Sequence, residues 1–184
     1  MFNLQFHYWG SSELPMCQSR SAGFTLVELM ITIAIAAILL AIALPSFQGS
    51  MRSNRLATST NEMIATISLA RSEAIRSRRG AGLCATANGS ACGTDWNQGW
   101  MVWADANGDG AVSTGETVVR HVQAVRGLNV VAGSGTIVFN NRGGPSAATS
   151  FTMKPSDCPA SQQLVNTLRL NGSGQVKTEK SACP

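Results

Sequence analysis

One carboxylate lies inside an otherwise apolar stretch near the start of the chain. Glu28 is the one charged residue between Phe24 and Leu44. A helix of about twenty residues, rising ~1.5 Å per residue, crosses a hydrocarbon layer ~30 Å thick. A carboxylate in lipid costs roughly 2.5–3.5 kcal/mol without a partner. Cleavage after Gly23 would create that partner, because the new α-amine of Phe24 lies one helical turn away and can pair with the Glu28 of a neighbouring copy.

A second group of oxygen donors fits the spacing of a calcium loop. Asp105, Asn107 and Asp109 alternate before Gly110, and Glu116 follows, which matches D-x-[DN]-x-[DN]-G-x5-E. The flanking segments are β-like, whereas an EF-hand has helices there. Asn-Gly and Asp-Gly also form tight hairpin turns, since both residue types accept positive φ. We favour the hairpin turn and assign no metal and no cofactor.

Cysteines form the third group. Of the five in the chain, Cys17 precedes the apolar stretch and Cys84, Cys92, Cys158 and Cys183 follow it. An even number of cysteines in an exported domain is typical of disulfides, and four cysteines allow three pairings. We favour Cys84 with Cys92 and Cys158 with Cys183, because each bond closes a loop between neighbouring segments. A zinc site is disfavoured, because neither pair has the C-x2-4-C spacing.

A long helix must carry Glu28. The apolar pattern continues beyond Pro45, which should kink the helix because it lacks an N–H. Apolar residues recur there mostly at intervals of three or four, the period of an amphipathic helix: Phe47, Met51, Leu56, Met63, Ile67, Ala70 and Ala74. Arg78 and Arg79 before Gly80 combine cations with a terminating glycine. We therefore predict a spanning segment at 24–44 and an amphipathic segment at 45–80.

The remainder of the chain has the pattern of a β domain. Short β-like runs alternate with residues typical of turns, at 82–85, 100–104, 117–123, 136–139, 150–153, 164–170 and 175–178. The predicted fold class is α+β. A long N-terminal helix packs its amphipathic half on a small antiparallel domain of one or two sheets, residues 81–184. The bond Cys158–Cys183 would hold the C-terminus of this domain.

The residues around Gly23 resemble the class III signal of type IV pilins and type II secretion pseudopilins. That signal is a short leader ending in glycine, followed by Phe-Thr-Leu-Val-Glu and about twenty apolar residues. The resemblance implies a leader at 1–23, cleavage after Gly23 by an inner-membrane prepilin peptidase, and N-methylation of Phe24. Residues 1–15 contain no lysine or arginine, so we expect Met16 to be the true start, which would leave a short basic leader.

Three further blocks resemble the FimT and GspH group of minor pilins: residues 69–75, 96–103 and 105–116. Members that act in transformation contact DNA through a C-terminal Gly-Arg-x-Arg segment, which here corresponds to 174–177. Gln175 and Lys177 replace the two arginines. Candidate DNA-binding residues are therefore Lys177, Lys180 and Arg142, with loss of one charge weakening phosphate binding. A solvated positive surface is the alternative interpretation.

The leading functional prediction is a minor type IV pilin rather than an enzyme. It would be anchored in the inner membrane by a single span with its domain in the periplasm, and would assemble with major and minor pilins through helix–helix contacts. Two alternatives are a DNA-binding pilin for transformation and a GspH-like pseudopilin of type II secretion. The net charge of +4 suits both a polyanion ligand and plain solubility. No sequence pattern for a catalytic triad or a phosphate-binding loop supports an enzyme.

Overall fold

The computed structural model describes residues 23–184. The leader and the proposed start at Met16 lie outside the described residues. The described part of the chain divides into two units, with the boundary between Leu44 and Pro45. One helix, α1 (Leu26–Ser77), supplies the described secondary structure of the first unit and the first element of the second.

Helix α1 begins and ends on local signals. The Thr25 hydroxyl accepts a hydrogen bond from the Glu28 backbone N–H at 3.2 Å, which caps the first turn. The helix continues through Pro45, as the apolar pattern predicts. It ends at Ser77 because Arg78 adopts a left-handed conformation with φ 58°. The predicted end near Gly80 was therefore three residues late, and Gly80 instead begins the first strand.

Eight strands follow the helix. They are β1 (Gly80–Ala85), β2 (Gly99–Ala104), β3 (Thr117–Gln123), β4 (Leu128–Ala132), β5 (Thr136–Asn140), β6 (Thr149–Pro155), β7 (Val165–Leu170) and β8 (Val176–Ser181). Seven correspond to predicted runs, and β4 was missed. Its alternation of buried Leu128 and Val130 with exposed Asn129 and Val131 has the period of a strand, but extends over few residues.

The strands form two antiparallel sheets. The first sheet has the order β3-β2-β1-β5, and the second has the order β4-β6-β7-β8. Side chains from both sheets join those of α1 in one hydrophobic core. On the helix, Met63, Ile67, Ala70 and Ala74 are buried. The predicted fold class, with two sheets rather than one, is confirmed.

Buried hydrogen bonds connect α1 to each sheet. The indole N–H of Trp100 in β2 donates to the Thr66 hydroxyl at 3.3 Å. The Asn166 amide of β7 donates to the Thr60 hydroxyl at 2.9 Å. Buried polar groups are costly unless they find partners, so these pairs select one packing of the helix against the sheets.

The core of the first sheet leaves no space for a side chain at Gly82. A Cβ built on Gly82 would lie 2.0 Å from the Trp103 ring, which is fully buried. The two residues are register partners in β1 and β2. The Trp103 indole therefore fits in this position only because Gly82 has no side chain.

We predict that Gly82→Ala lowers the free energy of unfolding by about 1–3 kcal/mol or prevents folding, because the added methyl overpacks the core. Gly172→Ala is the matched control, since a Cβ there meets nothing within 4 Å. Thermal unfolding of both variants measures the difference. Equal stability of the two variants would contradict the close packing.

Candidate functional site

The first candidate site is the carboxylate at the start of α1. Glu28 lies in the first turn of the helix, and every side chain from residue 23 to residue 44 is exposed. Within the described residues, no cation lies in salt-bridge distance of Glu28. The helix is long and apolar enough to cross a membrane. Its apolar surface and its acid both lack partners in the described part of one copy.

Two disulfides stabilise the second unit, with the pairing that the sequence favoured. Cys84 bonds Cys92, which closes the loop after β1, and Cys158 bonds Cys183. The second bond links the segment after β6 to the end of the chain. Such bonds typically contribute 2–4 kcal/mol by restricting the unfolded chain. The bond from Cys158 therefore secures the C-terminal strand β8 at the edge of its sheet.

The acidic loop between β2 and β3 brings three carboxylates together. One oxygen each from Asp105, Asp109 and Glu116 lies within 4.8 Å of the others. Asp105 is buried at 2% exposure, and its two oxygens accept from the backbone N–H groups of Gly108 and Gly110 at 2.7 and 3.0 Å. The carboxylate thus organises the turn from inside.

The other donors in this loop are also used internally. Glu116 accepts from the backbone N–H groups of Ala106 and Ser113 at 2.9 and 3.0 Å. Asp109 accepts from the Ala111 backbone at 2.8 Å and from the Asn107 amide at 2.8 Å. These N–H donors stabilise the clustered negative charge. The geometry is that of a self-supporting hairpin turn, whose oxygens could also coordinate a hard cation such as calcium.

The predicted DNA-binding residues do not form one patch. Lys177 and Lys180 are three residues apart in β8, so the alternation of a strand directs them to opposite faces. Lys177 pairs with Glu179 at 3.2 Å, and Glu179 also pairs with Arg169 at 2.9 Å. Hydrogen bonds from Arg169 and then Lys177 hold the pKa of the Glu179 carboxyl below its ordinary value. The acid offsets part of the positive charge here.

The turn that carries Arg142 approaches this region through a contact with a second turn. A Cβ on Gly174 would lie 2.5 Å from the carbonyl oxygen of Gly143, so the turns that precede β8 and follow β5 touch. Arg71 of α1 lies at the same contact and donates to the Gly174 carbonyl at 3.4 Å. Sequence reasoning missed Arg71 and Arg169 as neighbours of Lys177. No sequence pattern signals these contacts, because the residues lie on separate elements along the chain.

A long helix, apolar at its start and packed further on against an antiparallel β domain, defines the class of pilin-like proteins. Two family profiles match the sequence. One, described as a prokaryotic N-terminal methylation motif, matches residues 18–44, and the other, described as type II transport protein GspH, matches residues 59–174. The chain belongs to the GspH family, since that match covers more than half of it. It is thus a pilin-like protein of that family, in which the N-terminal methylation motif leads into a helix long and apolar enough to cross a membrane.

Solved structures of other proteins are similar to this chain. The type IV minor pilin FimU of Pseudomonas aeruginosa matches with a TM-score of 0.54 at 20% identity, covering 68% of this chain and 89% of FimU. A second crystal form of FimU gives 0.51 at 18% identity, covering 67% and 91%. The minor pseudopilin EpsH of Vibrio cholerae gives 0.48 at 11% identity, covering 68% and 97%. No curated protein gives a significant match.

We predict that Asp105→Ala lowers the free energy of unfolding by about 1–3 kcal/mol, because two backbone N–H donors lose their acceptor. Asp157→Ala is the control, since it removes only the exposed end of a surface ion pair with Arg52. Thermal unfolding of the wild type and both variants, with and without millimolar calcium, measures the effect of the carboxylate and the effect of calcium on stability. For the wild type, we expect the same unfolding midpoint with and without calcium. A calcium-dependent rise in the wild type that Asp105→Ala abolishes would overturn the hairpin interpretation.

Proposed function

We propose that the protein is a minor subunit of a type IV pilus, cut after Gly23, N-methylated at Phe24 and incorporated at low abundance. Prepilin peptidase would perform the cleavage, as the methylation motif implies. Residues 24–44 would anchor the subunit in the inner membrane before assembly, with residues 81–184 in the periplasm. The same helix would then pack among the helices of major and minor pilins.

The observation that carries this proposal is the isolated carboxylate of Glu28. It lies in an apolar helix where every described side chain from 23 to 44 is exposed. A lipid or helix-packed environment makes an isolated charge costly, so assembly that supplies a cation is favoured. The freed amine of a neighbouring subunit at Phe24 is a suitable cation. The pairing also sets the axial register between adjacent helices.

Type II secretion is the second candidate function, and the GspH profile favours it. The same cleavage, membrane anchor and Glu28 pairing would operate in a short periplasmic pseudopilus. FimU, which is described as a type IV minor pilin, supports the pilus assignment through its fold. The genes beside this one and the phenotype of a deletion distinguish the two systems, since loss of pili and loss of secretion are separate measurements.

DNA binding is a further candidate role for the same subunit. The contact between the turns at Gly143 and Gly174 brings the segment carrying Arg142 towards the β8 end that carries Lys177. Glu179 opposes this role, because its carboxylate already accepts from Lys177 and Arg169. Lys180 lies on the opposite face of β8. DNA binding through these residues should therefore be weak and limited by Glu179.

We predict that Glu28→Ala is still cleaved but enters pili about tenfold less than the wild type, because the neighbouring amine loses its partner. Thr32→Ala is the matched control, one turn further along the same helix and without charge. N-terminal sequencing measures cleavage, and the ratio of sheared-pilus to membrane protein measures incorporation. Normal incorporation of Glu28→Ala would refute the assembly role.

We predict that Glu179→Gln strengthens DNA binding a few-fold at low salt. The substitution releases Lys177 and Arg169 from their ion pairs with Glu179, so both can bind phosphate. Glu62→Gln serves as control, since it frees Arg120 elsewhere on the surface. Gel-shift titration of the full chain in detergent gives both affinities. An unchanged affinity of Glu179→Gln, or an equal gain from Glu62→Gln, would argue against a DNA contact at Lys177.

A further inference from the structure

The two sheets differ in how their edges are covered. At β5, Val138 accepts a hydrogen bond from the Ser146 backbone at 2.7 Å, so the following segment covers that edge. At β4, the Val130 N–H donates to the Asn97 side chain at 2.8 Å. Within residues 23–184, β3 and β8 have no further strand beside them. An uncovered edge presents main-chain donors and acceptors to another chain.

The hydrogen-bond pattern shows which groups of β8 face outward. Asn171 donates through its N–H to the Gln175 carbonyl at 3.0 Å, so this opposing pair is hydrogen-bonded. Opposing pairs alternate in an antiparallel ladder, and the register places Lys177 and Glu179 in the next hydrogen-bonded pairs. The N–H and C=O groups of Thr178, between them, therefore point away from β7.

A groove runs beside this edge. It has a volume of about 840 Å³, and we call it the β8 groove. Its lining includes Ile64, Ser68 and Arg71 from one face of α1, and Val176 and Lys177 from β8. The spacing of the helix residues at three- and four-residue intervals forms a continuous wall. An extended segment lying in the groove would reach the main chain of β8 on one side and α1 on the other.

The charges of the groove select the occupant. The groove lining has three cations, Arg71, Arg169 and Lys177, and one acid, Glu179, so it carries an excess of positive charge. The β8 strand of a second copy carries two lysines and one glutamate, so it would add to the positive charge at this edge and would not offset it. An acidic segment has the complementary charge. The uncovered main chain favours a peptide over a nucleic acid, because it matches the hydrogen-bond spacing of another strand.

We propose that the β8 groove binds an extended acidic segment of another protein, which adds to the second sheet as a fifth strand next to β8. The main chain of Thr178 supplies hydrogen bonds to the segment. Arg71, Arg169 and Lys177 supply the preference for glutamate or aspartate side chains. This docking is independent of Glu28, which acts at the other end of α1.

The test uses the full chain in detergent and a fluorescent eight-residue peptide that alternates valine with glutamate. Its twin carries lysine for glutamate, and a single-stranded oligonucleotide is the third probe. Thr178→Pro removes the outward N–H while leaving the ladder to β7 intact, and Thr178→Val keeps it. A double variant, Arg71→Gln with Lys177→Gln, removes charge without changing the main chain. Fluorescence anisotropy measures binding, and circular dichroism measures folding.

We expect the acidic peptide to bind at least tenfold more tightly than its lysine twin. Thr178→Pro should weaken that binding about tenfold or more, Thr178→Val should not, and the double charge variant should remove the preference for the acidic peptide. Equal binding of both peptides, or wild-type binding by a folded Thr178→Pro, would overturn the proposal. Tighter binding of the oligonucleotide than of the acidic peptide would also overturn it. If Thr178→Pro does not fold, the double charge variant decides the outcome.

Discussion

The second unit depends on the contact that α1 makes with both sheets at once. Each sheet buries one face against the helix, which supplies the surface that both faces share. Ala70 and Ala74 are fully buried, and their small side chains allow strands to approach the helix closely. The hydrogen bonds of Thr60 and Thr66 then determine how the sheets are placed along it. Loss of the helix would expose both sheet faces to water.

The N-terminal part of the same helix, in the first unit, has an apolar surface that no other described residue of that unit covers. One element thus serves as the core of a folded domain and as a segment that needs a membrane or other helices around it. Burial of apolar surface drives both, at about 25 cal/mol per Å². Glu28 lies only in the segment that needs a membrane or other helices. Its carboxylate in an apolar environment requires a partner that no described residue provides.

Features that depend on residues close together in the sequence could be predicted, and features that depend on distant residues could not. The helix, seven of eight strands and both disulfide pairings followed from local periodicity and loop closure. The missed strand β4 is short, and its edge is capped by Asn97 from a distant segment. The helix end was placed late because Arg78 takes the left-handed conformation usually left to glycine. In the acidic loop, spacing predicted the convergence of Asp105 and Glu116, while the backbone hydrogen bonds emerged only from the fold.

The sequence by itself determined the class of protein, because the signal around Gly23, the apolar span and Glu28 form one continuous local pattern. Tertiary structure alone decided how the surface charges combine. Lys177 and Arg169 both pair with Glu179, and Arg71 approaches the same region from the helix, more than a hundred residues earlier in the chain. Electrostatic interaction depends on distance in space, and strand pairing, helix packing and the contact between two glycine turns set those distances. That is why the anchor could be identified from residue order, while the groove beside β8 required the fold.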